Sequence, residues 1–186
     1  MKTWKALPAT LALFGAVSLA HAAPISLQDV TKFTYSGTDS AEDYDSHGWG
    51  AVNKLDGALD YVKWTHSFDF NPPVDTILSA TLGLKLFDDD AEYFFCVIGD
   101  CEFGVGYGED GTWSIGEVDT GLYQYDLEVS SLLDGSYTVK LKSLAGDFYI
   151  KKSILDIEYL PVPEPGTLAL MGLGLVGLGA ARRRKA

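Results

Sequence analysis

Apolar and polar residues alternate with a period of two through most of the middle of the chain. Across residues 61–70, Val62, Trp64, His66, Phe68 and Phe70 share one parity, while Lys63, Thr65, Ser67 and Asp69 share the other. Successive side chains of a strand point to opposite faces, so this pattern predicts a half-buried β-strand. Asn71-Pro72-Pro73 ends it, since proline cannot donate to a ladder. A second strand follows, with Leu78, Ala80, Leu82, Leu84 and Leu86 set against Ser79, Thr81, Gly83 and Lys85. Further on, Tyr123, Tyr125, Leu127 and Val129 alternate with polar residues, and an Asp134-Gly135 turn precedes Tyr137, Val139 and Leu141. Shorter strands are expected near residues 31–35, 93–98, 102–107, 148–149 and 155–159, with Gly146-Asp147 as a turn before the last two. Helix is limited to about one turn around residues 130–133.

About eight short strands with Gly- and Asp-rich turns, and no long 3.6-period segment between the ends, predict an all-β fold. The expected architecture is a single antiparallel β-sandwich over residues 23–161, jelly-roll-like. The same alternation also suits a small closed barrel, which periodicity does not separate from a sandwich.

Both ends depart from this pattern. Lys2 and Lys5 precede a mostly apolar run, residues 6–20, and then Ala20-His21-Ala22. A basic start, an apolar core of this length and small residues before a cut mark residues 1–22 as a signal peptide. The run falls short of the roughly 20 apolar residues that a permanent anchor needs. At the other end, Val162-Pro163-Glu164-Pro165-Gly166 leads into an uncharged stretch, residues 167–181, and then Arg182-Arg183-Arg184-Lys185. The two prolines hold the turn extended. A transmembrane helix is expected over about residues 166–181, with the basic end kept in the cytoplasm by the positive-inside rule.

These residues resemble the PEP-CTERM sorting signal of Gram-negative bacteria, which joins a Pro-Glu-Pro motif, an apolar helix and an Arg-rich end. Pro163, Glu164, Pro165, Arg182, Arg183 and Arg184 carry the resemblance, which covers residues 162–186 alone. It implies recognition by exosortase, a membrane protease or transpeptidase, and a link to exopolysaccharide and biofilm matrix. Signal peptidase and the secretion machinery are the other implied partners. The expected path is export through the inner membrane, a membrane-anchored precursor, then the cell surface or extracellular matrix.

Charge narrows the partners. Residues 23–162 hold eight lysines and no arginine against twenty-five Asp and Glu, a formal charge of −17. Such a surface disfavours nucleic acid and attracts divalent ions where carboxylates converge. Calcium is the cofactor to consider, at Asp88, Asp89 and Asp90 beside Glu92, with Asp147 from a second turn; a solvated acidic loop is the other reading. Asp43-x-Asp45 with Gly48 resembles the start of an EF-hand loop, but His47 and Lys54 stand where oxygen ligands are required.

Cys96 and Cys101 are the only cysteines. In an exported chain, four intervening residues predict a disulfide across a hairpin tip. Trp49 and Trp113 lie in Gly-rich stretches taken as loops, where an aromatic face could stack on a sugar or simply close the end of a sandwich. His66 sits among apolar neighbours and reads as a packed structural histidine. The region between the ends has no GxSxG and no HExxH. The expected role is therefore non-enzymatic and structural, associated with exopolysaccharide. A carbohydrate-binding module is the alternative, and a polysaccharide hydrolase the third reading.

Overall fold

The alternating segments form strands, and the strands form two antiparallel sheets. The computed structural model describes residues 22–38, 44–47, 52–88, 101–163, 172–177 and 183. In chain order the strands are β1 Ile25–Thr34, β2 Gly37–Thr38, β3 Tyr44–His47, β4 Lys54–Asp56, β5 Tyr61–Ser67 and β6 Val74–Phe87. They continue as β7 Phe103–Gly108, β8 Gly111–Glu117, β9 Gly121–Asp126, β10 Ser136–Ala145 and β11 Asp147–Pro161. The expected turn of helix is a 3-10 turn at Val129–Leu132.

One sheet runs β2-β1-β11-β6-β9, with β4 also pairing β11, and the other runs β3-β5-β10-β7-β8. The antiparallel pairings are nested: β7 with β8, β6 with β9, β5 with β10 and β1 with β11. A long hairpin rolled up on itself gives this order, and the two faces it brings together make a jelly-roll sandwich rather than a closed barrel.

The core lies between the sheets. Val62 and Trp64 of β5, Leu82, Leu84 and Leu86 of β6, Tyr137, Val139 and Leu141 of β10, and Phe148, Ile150, Leu155 and Ile157 of β11 are all buried. Each side chain of this kind removed from water contributes roughly 1.5–3 kcal/mol. The parity expected for residues 61–70 is the one observed, with Val62, Trp64, His66 and Phe68 inward.

Three expectations need correction. Leu78 is 45 % exposed and Ile77 is buried in its place. The register between β6 and β11 shifts there, Glu158 pairing Ser79 and Tyr159 pairing Ile77, so a bulge takes up Leu78 and turns it outward. The two short strands expected at residues 148–149 and 155–159 are one 15-residue strand, β11, because the polar residues between them belong to its two faces rather than to a turn. The transmembrane helix expected over residues 166–181 is not supported: residues 172–177 are helical, and among the described residues no helix is long and apolar enough to cross a membrane. The signal peptide core and the strand expected at residues 93–98 lie outside the described residues.

Candidate functional site

One edge of the sandwich is closed by polar side chains. Trp64 and His66 point inward from β5, facing Asp29 of β1 and Ser153 of β11. His66 Nδ1 lies 2.5 Å from Asp29 Oδ2, and Nε2 lies 2.8 Å from Ser153 Oγ. The Trp64 indole Nε1–H donates to the same Nε2 across 3.2 Å. An indole nitrogen can only donate, so Nε2 is the bare nitrogen and Nδ1 carries the proton offered to the carboxylate. Ser153 then also donates toward Nε2.

Asp29, His66 and Ser153 thus stand in the order of a nucleophilic triad. Burial changes what they can do. His66 and Ser153 are wholly inaccessible, and so is Thr31, the cross-strand partner of Ser153, whose hydroxyl lacks a hydrogen-bond partner. Only Asp29, 26 % exposed, reaches the surface. Ser153 has no approach for a substrate in this arrangement, and what the network does is tie one sheet to the other. The edge-to-face contact of Phe33 with Trp64, centroids 4.9 Å apart, packs beside it.

His66 is buried as its apolar neighbours imply, but its own segment does not reveal its partners. The signal that could have found them is parity: Asp29 and Thr31 fall in step with Leu27 and Phe33, and Ser153 in step with Leu155 and Ile157. Polar residues at inward positions need partners inside.

The opposite edge is aromatic. Trp113 is not in a loop but in β8, half-buried and facing inward, with its ring 5.2 Å from that of Tyr125 on β9. Its indole lies over β7, where a Cβ at Gly106 would overlap the ring and one at Gly108 would overlap the Tyr137 hydroxyl. Tyr137 donates to Asp110 Oδ1 at 2.5 Å, and Asp110 Oδ2 accepts the Glu128 N–H at 2.9 Å. Glu109 accepts the Thr138 N–H at 2.8 Å. The tip of the β7–β8 hairpin is pinned from two sides. Burial pushes Tyr125 up to about 12, and burial reinforced by Asp110 raises Tyr137 as well. Trp49 lies outside the described residues.

Of the carboxylates considered for calcium, Asp89 and Asp90 lie outside the described residues. The Asp88 N–H donates to Thr120 Oγ1, whose hydroxyl donates back to the Asp88 carbonyl, each at 3.1 Å. Asp147 is ion-paired with Lys54; that hydrogen bond holds the lysine above its ordinary range. No group of three or more His, Cys, Asp or Glu among the described residues is placed to hold a metal ion. Cys101 is disulfide-bonded, and Cys96 lies outside the described residues.

The sorting tail leaves the domain directly from β11. Val162 donates to the Pro73 carbonyl at 2.8 Å, and both Val162 and Pro163 are exposed. Glu164, Pro165, Arg182 and Arg184 lie outside the described residues, and Arg183 is exposed. No curated protein matches the chain. Residues 161–185, starting at the last residue of β11, match the PEP-CTERM protein-sorting motif, which marks a protein for exosortase-dependent sorting to the cell surface.

Proposed function

We propose that this chain is an exported surface or extracellular-matrix protein whose β-sandwich has a non-enzymatic, structural role in association with exopolysaccharide. The observation that carries the reading is the junction at Pro161 to Pro163, where the sorting motif begins as the central strand ends and is exposed at once. An extended, accessible substrate is what a processing enzyme requires. The sealed Asp29–His66–Ser153 set supports a structural rather than catalytic domain, since a buried nucleophile meets no substrate. Cys101 is disulfide-bonded and Cys96 is the only other cysteine, so the bond joins these two and contributes about 2 kcal/mol.

Intact mass of the protein recovered from envelope and culture medium tests the sorting half of this reading. A species running from about Ala23 to the neighbourhood of Pro163 is expected, and Glu164→Ala should leave the precursor unprocessed. Normal release of that variant would sink the proposal. Incubation with polysaccharides followed by reducing-end assay tests the other half: turnover that Ser153→Ala abolishes would make the domain an enzyme.

A further inference from the structure

The outer face of the β2-β1-β11-β6-β9 sheet carries an ordered map of charge. Lys32, Lys152 and Lys85 are cross-strand partners and form one row over β1, β11 and β6. The next outward row is Val30, Ile154 and Gly83, with Gln124 at its β9 end, and the one after it Gln28, Asp156, Thr81 and Asp126. Ser26, Glu158 and Ser79 follow. The face is therefore cationic at one end, apolar in the middle and acidic at the other.

Lys152 and Lys85 stand directly opposite on β11 and β6; like charges so placed are unfavourable, and an anionic surface laid over them relieves the repulsion. Lysine is scarce in this domain, eight against twenty-five carboxylates. The acidic end also has shape. Asp156 and Glu158, with Ser26, Ser79 and Thr81, line a shallow groove of about 310 Å³. Gln28 donates to Asp156 Oδ1 at 2.6 Å and so orients that carboxylate in the groove. Carboxylates set among hydroxyls suit a primary ammonium on a flexible stem. The apolar row between the two ends is continued over Gly83 by Leu122, which leans across the place a side chain there would take.

We propose that this face docks on a second copy of itself. A two-fold axis running along the Val30–Ile154–Gly83 row lays Lys152 of each copy over Asp156 of its mate, with Lys32 over Gln28 and Lys85 over Thr81. The interface is isologous, each contact occurring twice, and Ile154 meets its own counterpart at the centre. The occupant follows from charge and spacing: Lys152 and Asp156 lie on one face of β11 at equal distances from Ile154. A net charge of −17 opposes encounter at long range, so the association depends on the two Lys152–Asp156 contacts and the Ile154 centre.

Sedimentation velocity on the exported protein across a concentration series reads the association, with circular dichroism to show that each variant is folded. A monomer–dimer equilibrium is expected. Lys152→Glu and Asp156→Lys should each weaken it by roughly tenfold or more, because each puts like charges together. Both changes in one chain should restore it, and so should mixing the two single variants. Monomer at every concentration, or a dimer indifferent to both substitutions, would overturn the proposal. So would a monomer retained on a polyuronate resin through Lys152, an outcome that would give the row to a carboxylated polymer.

Discussion

The two edges of the sandwich solve the same problem with different chemistry. At the β1–β5 edge the gap between sheets is bridged by Trp64, His66, Asp29 and Ser153, each atom committed to a particular partner. At the β8–β9 edge it is filled by the rings of Trp113 and Tyr125, with Tyr137 and Asp110 beneath. A polar bridge fixes geometry, because removing any member leaves a buried group unsatisfied. An aromatic plug supplies area and tolerates small displacements. The polar edge should therefore be the more brittle.

The largest expected effect is at the polar edge. His66→Ala strips its hydrogen-bond partner from buried Trp64 and Ser153 and from half-buried Asp29, and opens a cavity, for a loss of about 3–4 kcal/mol in urea unfolding. Trp113→Ala should cost less, about 2 kcal/mol, since the indole is only half-buried. Equal losses at both positions would erase the contrast. Next in size is an alkaline effect confined to the aromatic edge. Tyr125 and Tyr137 hold their protons more tightly folded than unfolded. Their stabilisation is complete below the ordinary tyrosine value near 10, and is lost as pH rises toward the folded value, about 12 for Tyr125. The melting temperature should fall across that window, and Tyr125→Phe with Tyr137→Phe should flatten the fall. The smallest change is Ser153→Ala, about 1 kcal/mol, because Nε2 keeps its Trp64 donor. A loss as large as that of His66→Ala would make Ser153, rather than the imidazole, the centre of the bridge.

Much of the sandwich could be read from period two, and the places where reading failed share a cause. β8 escaped notice because its glycines look like loop residues. In the structure Gly106 and Gly108 of the paired strand β7 are instead the floor on which Trp113 lies. Strict alternation turns Leu78 inward because it has no room for a bulge, and the register shift against β11 is a property of the pair. The parity of His66 was legible, but Asp29 and Ser153 come from distant strands. No local pattern announces that three inward polar residues will meet. The sorting motif was legible in full, since a short linear signal carries its information in adjacent residues.

The pairing of β1 with β11 also sets a schedule. A chain threaded outward from its N-terminus delivers Ile25 early and its partner Tyr159 late, so the first strand to arrive waits for the last before either sheet can be completed. Contacts so far apart in sequence are slow to form, and an edge left open meanwhile is a site for wrong pairing. The sorting motif begins where β11 ends. Every strand of the sandwich therefore precedes the motif in order of delivery, and the segment that directs sorting is the last to emerge.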